Sequence, residues 1–87
     1  MTDCKELLSN IEKIHTTEMG EERIRRNLFL GEELVDLVGW CKKQIESPRA
    51  CITRRGKNWY ASLDGNLFTV NAYSYTIITA HKEKAST

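Results

Sequence analysis

The sequence predicts an α+β fold: three N-terminal helices packed on one face of a four-stranded antiparallel β-meander. Three observations carry this. The apolar period changes from 3.6 to 2 at Pro48. Asp64-Gly65 sits between two alternating segments, where both turn positions favour positive φ. The chain has 87 residues, 40% hydrophobic and 29% charged, the make-up of one folded unit of modest core rather than a disordered chain.

The first helix is expected over about 3–15. Asp3 and Glu6 have the spacing of a capping box, and Cys4, Leu7, Leu8, Ile11 and Ile14 form one stripe. Thr16-Thr17 interrupts the stripe and can cap a second helix, over about 18–29, with Ile24 and Leu28 one turn apart and Gly31 as the break. A third helix is expected over about 32–46, with the stripe Leu34, Leu37, Val38, Cys41 and Ile45 and with acids in its first turn. Ser47-Pro48 stops it, because the residue before proline is pushed out of the helical region. Strands follow over about 50–55, 58–63, 66–71 and 75–82, and Lys84 to Thr87 is expected to fray.

The Asp64-Gly65 turn fixes a register. Leu63 faces Asn66, Ala61 faces Phe68 and Trp59 faces Val70 on an apolar side. Tyr60 then faces Thr69 and Asn58 faces Asn71 on a polar side. A two-residue Gly56-Lys57 turn adds Ile52 opposite Ala61. Tyr75 and Ile77 fall on the apolar side for either turn near Tyr73. Trp59 is expected in the core, with Arg54 over its indole, and Trp40 partly buried. By alternation His81 shares the side of Tyr75 and Ile77, and Lys82 joins the open side. Thr53, Tyr60 and Thr69, with Thr76 next in line, make a row of hydroxyls across the open side.

Function is written more faintly. The N-terminus is polar and acidic, unlike a signal peptide, and no apolar run approaches the roughly 18–20 residues of a membrane span. Three widely spaced cysteines do not make a disulfide framework, so a cytoplasmic protein without a membrane association is expected. Two histidines and no C-x-x-C leave no dedicated metal site, and no nucleotide-binding glycine motif points to a cofactor. Charge is uneven. Residues 1–48 hold seven Lys/Arg against ten Asp/Glu, and residues 49–87 hold six against two. The sheet layer is therefore basic. Arg55, Lys57, Asn58, Tyr60, Asn71, Tyr73 and Lys82 are the expected anion- or nucleic-acid-binding residues, since cations with exposed aromatic rings suit phosphates and stacked bases. The bland alternative is a solvated sheet face with a charged hairpin that guards an edge strand. His81 at the end of the last strand, with Tyr60 or Tyr73, is the expected acid–base pair if the protein is a nuclease. His15 reads instead as a partner of the first helix's C-terminal dipole. Arg23, Arg25 and Arg26 could form a second basic patch, diluted by Glu21 and Glu22.

Asn10 to Thr17, Glu22-Arg23-Ile24, Trp40-Cys41-Lys42, Ile52 to Tyr60 with its Gly-Lys-Asn, and Val70 to Lys82 with its Ile-Thr-Ala-His-Lys resemble a small bacterial family of unknown function. That resemblance implies membership and no activity. Helices followed by a four-stranded antiparallel sheet also resemble, in architecture alone, the barnase, colicin and RelE type of small ribonuclease. That likeness implies metal-independent RNA cleavage, although Asp64 and Glu83 are the only acids after Pro48. Three readings therefore stand: a module binding RNA, DNA or another acidic partner, a toxin-type ribonuclease, and a homo-oligomeric or protein-partner module.

Overall fold

A computed structural model describes residues 3–83, with side chains from Lys5 onward. The expected Asp3 cap, the Cys4 side chain and the tail from Lys84 lie outside the described residues. The order is α1 (Asp3–Ser9), a 3-10 turn (Ile11–Lys13), α2 (Glu18–Leu28), α3 (Leu37–Glu46), β1 (Cys51–Arg55), β2 (Asn58–Leu63), β3 (Asn66–Asn71) and β4 (Ile77–Lys82). The four strands form one antiparallel sheet in sequence order.

Helix ends differ from expectation for local reasons. α1 gives way to the 3-10 turn, and Ile14 is already extended at φ −66° and ψ 134°. A 3-10 turn repeats every three residues, so Ile11 and Ile14 keep their inward spacing without an α-helix. Thr17 caps α2 by accepting from the Gly20 amide at 3.0 Å. α2 ends one turn before Gly31, on Phe29, which takes the left-handed conformation at φ 58°. α3 starts at Leu37 rather than near Glu32, because Asp36 is the cap and its carboxylate accepts from the Gly39 amide at 2.9 Å. Glu32 and Glu33 therefore precede the helix and do not load its first turn.

The buried cluster joins Leu7, Ile14, Ile24, Leu28, Leu37, Cys41 and Ile45 from the helical half to Trp59, Ala61, Phe68, Val70, Ile77 and Ala80 from the sheet. Trp40 packs its ring 6.0 Å from Phe68. The β1–β2 and β2–β3 registers are those expected. The β3–β4 register is not the simple alternation. It shifts between Thr69, which faces Thr79, and Val70, which faces Ile77, so Ile78 is an extra residue bulged from β4. A bulge reverses parity for everything beyond it. His81 and Thr79 therefore move to the side of Tyr60, and Ala80 and Lys82 to the side of Trp59. The hydroxyl row continues from Thr69 to Thr79 rather than to Thr76, and Lys82 leaves the open side, its ammonium 6.0 Å from the Phe29 ring.

Candidate functional site

A meander of four strands brings the β1–β2 turn and the β3–β4 loop to the same end of the sheet, where Arg54, Arg55 and Lys57 cluster. In Arg55-Gly56-Lys57-Asn58 the first central residue has φ +60°, the II′ pattern that a two-residue hairpin favours. Nothing lies within 4 Å of a Cβ placed at Gly56, so backbone sign rather than space demands glycine. Arg54 lies between two rings, 5.4 Å over Trp59 and 5.8 Å over Tyr73, and its Nε donates to the Gly56 carbonyl at 2.9 Å. Arg55 lies on the other side of the sheet, 5.0 Å over Tyr60, whose hydroxyl accepts from Asn58 Nδ2 at 3.4 Å. Lys57 is exposed, and its carbonyl accepts from the Ala72 amide at 2.7 Å, which ties the turn to the neighbouring loop.

Among the described residues the ion pairs are Arg25–Glu21 at 3.1 Å and Arg49–Asp64 at 2.7 Å. Arg54, Arg55 and Lys57 have no carboxylate partner among them.

Asn71 organises the loop after β3. Its Oδ1 accepts from the Tyr73 and Ser74 amides, each at 2.9 Å, and from Ser74 Oγ at 3.3 Å. Its Oδ1 is thus engaged within the chain, while its Nδ2, the donor an anion would meet, makes no hydrogen bond among the described residues. Tyr73 projects from this loop, 72% exposed. Tyr75 takes φ 61°, with its ring 5.4 Å from Trp59 and 5.5 Å from the Lys13 ammonium. The indole N–H of the fully buried Trp59 and the Oδ1 of Asn58 find no partner among the described residues.

His15 belongs to this end too, which the sequence reading missed. It pairs with Thr76 in an isolated parallel bridge, with His15 N donating to the Tyr75 carbonyl at 3.1 Å and Ile77 N to the His15 carbonyl at 2.7 Å. Its Nδ1 lies 2.9 Å from the Lys13 carbonyl, which can only accept. The proton of neutral His15 is therefore assigned to Nδ1, and Nε2 accepts from the Thr76 hydroxyl at 3.1 Å. Thr76 in turn sits 2.8 Å from Ser74 Oγ. The available signal was His15-Thr16-Thr17, a run of hydrogen-bonding side chains where the helical stripe stops.

The open side of the sheet carries a groove of about 340 Å³ lined by Cys51, Thr53, Arg55, Tyr60 and Leu67, closed at the far end by Ser62 donating to Glu83 at 2.6 Å. His81 is exposed and pairs with Leu67, four register positions from Asn71. At 3.4 Å per residue it is about 14 Å along the strands from the cationic turn. Its Nδ1 contacts the Lys82 carbonyl at 3.1 Å. The structure thus brings Arg55, Lys57, Asn58, Tyr60 and Tyr73 to one end, and leaves His81 and Lys82 apart from them. On the helical side, Arg25 is held by Glu21 and by the Gly31 carbonyl at 2.7 Å, so it is not part of an open basic patch. Burial, with the Glu21 carboxylate behind it, pushes the Cys41 thiol up to about 12. Among the described residues no helix is long and apolar enough to cross a membrane, and no group of three His, Cys, Asp or Glu gathers as metal ligands.

The fold and this end define an α+β chain with a four-stranded meander and a cation–aromatic cluster at the hairpin end. The chain belongs to the family described as protein of unknown function DUF3781, which it matches over residues 8–81. No curated protein and no solved structure matches it.

Proposed function

We propose that this protein is a binding module for a short stretch of single-stranded RNA, held at the hairpin end of its sheet. One observation carries the reading: Arg54, Arg55 and Lys57 lie at one sheet end without carboxylate partners among the described residues, beside the rings of Tyr60 and Tyr73. Cations there would neutralise phosphates and release counterions, and the free area of the Tyr73 ring would stack a base. The footprint is small, because Lys82 lies on the other side of the sheet.

The test is fluorescence anisotropy of labelled oligouridylate across a salt series. Three phosphate contacts on a single strand give a log–log salt slope of about −2. Lys57→Ala and Arg55→Ala should each flatten that slope by about 0.7, and Tyr73→Ala should weaken binding about tenfold or more with the slope kept. Absence of binding at low salt, or a slope indifferent to Lys57→Ala, sinks the proposal. The oligonucleotide should also stay intact. A general base must reach its proton within about 3 Å, directly or through one water. His81 is about 14 Å along the strands from the turn, and His15, at this end, has both ring nitrogens engaged by the Lys13 carbonyl and the Thr76 hydroxyl.

A further inference from the structure

The two edges of the sheet are treated differently. Along β4, main-chain groups at the outer edge are occupied. Asn27 Nδ2 donates to the Ala80 carbonyl at 3.1 Å, Thr16 Oγ1 to the Ile77 carbonyl at 3.0 Å, and the Ile77 amide to His15 at 2.7 Å. Along β1, near which α1 packs, no hydrogen bond among the described residues covers the outer main-chain groups. In a two-residue hairpin the flanking pair, Arg55 and Asn58, is the hydrogen-bonded one, so Thr53–Tyr60 and Cys51–Ser62 are also bonded pairs. The amides and carbonyls of Ile52 and Arg54 then point away from β2, and β1 has no other neighbouring strand. Such an edge is a template for another strand.

We propose that the free edge of β1 docks an extended acidic peptide from a protein partner, added as a fifth strand through the main-chain groups of Ile52 and Arg54. Charge complementarity selects the occupant. β1 and its turn carry Arg54, Arg55 and Lys57 and no acid. A second copy of β1 would place six cations on one ribbon, whereas alternating acids would face Arg55 and apolar residues would follow Ile52. Arg54 does not bar the edge, because its side chain lies back over Trp59 and Tyr73.

The probe is a capped peptide of alternating glutamate and valine, titrated into the full chain by calorimetry and by amide-resolved hydrogen exchange. Ile52 and Arg54 amides should gain protection on binding, while Thr53, already bonded to β2, changes little. Arg54→Pro removes one outward donor and is tolerated on an edge. It should bind roughly tenfold more weakly than Arg54→Ala, which loses the same side chain but keeps the outward amide. The lysine-for-glutamate peptide should not bind. Tyr73→Ala, which weakens RNA, should leave the peptide bound, so the two proposals fail separately. Unprotected Ile52 and Arg54 amides, equal binding by the two Arg54 variants, or equal binding of the lysine peptide overturns the assignment. A dimer dissociated by Arg54→Pro gives the edge to a second copy and overturns it as well.

Discussion

Asn71→Ala should destabilise the protein by about 1 kcal/mol and weaken RNA binding by loosening the loop that carries Tyr73. The estimate starts from the two amide bonds at 2.9 Å that its Oδ1 accepts from Tyr73 and Ser74. A net hydrogen bond contributes about 0.5–1.5 kcal/mol. Tyr73 and Ser74 are exposed, so water can take over their amides, and the lower end of that range applies to each. The longer contact from Ser74 Oγ at 3.3 Å adds little. For a chain of this size about 1 kcal/mol lowers Tm by about 4–8 °C. Urea unfolding followed by the fluorescence of buried Trp59 reads the loss as a shifted midpoint at constant m. Asn71→Asp keeps the acceptor, so it should recover the stability while its charge still weakens RNA binding. If Asn71→Ala unfolds at the wild-type midpoint, or if Asp and Ala are equally destabilising, the loop is not held as described.

The Cys41 thiol is pushed up to about 12 from an ordinary 9.0, first by burial and then by Glu21. Between those values the unfolded chain gives up a proton that the folded chain keeps, so stability present below pH 9 is lost as pH rises, with a limiting slope of about 1.4 kcal/mol per pH unit. The wild-type and Cys41→Ala stability curves should converge across that window, and parallel curves would refute the burial argument. Phe29→Gly should stabilise by about 0.5 kcal/mol, since relieving a left-handed residue outweighs losing a contact between Lys82 and an 82% exposed ring. Tyr75→Gly should instead destabilise by about 1.5 kcal/mol or more, because its equally left-handed residue packs a half-buried ring against Trp59. Thermal unfolding of both variants checks the pair.

The meander was legible because two primed turns and strict alternation through Trp59, Ala61 and Leu63 leave one register for β2 and its neighbours. β4 was not, and the reason is chemical. Ile77 and Ile78 are both apolar and β-branched, so the sequence has no polar–apolar signal at the position where the extra residue enters. That bulge alone misplaces Lys82, His81 and Thr79. The start of α3 was hidden similarly, since Leu34 continues the stripe of Leu37 and Cys41 and only the Asp36 side chain marks the cap. His15 was hidden because its partner, Thr76, is 61 residues away.

The surplus of cations after Pro48 was legible as a sum and not as a place. A sum of charges says nothing about which cations are already neutralised. Arg49 is paired with Asp64, Lys82 crosses to the helical side, and Glu83 lies at the far end of the open groove. What remains among the described residues after Pro48 is a local concentration around a single turn. Three such cations fall within the four consecutive residues Arg54 to Lys57 at one end of the sheet. Their mutual repulsion is tolerated because Arg54 and Arg55 rest on opposite faces of the pleat, each against an aromatic ring. The proposed RNA would therefore meet the end of the sheet, where it could reach both faces, rather than lie flat on one of them.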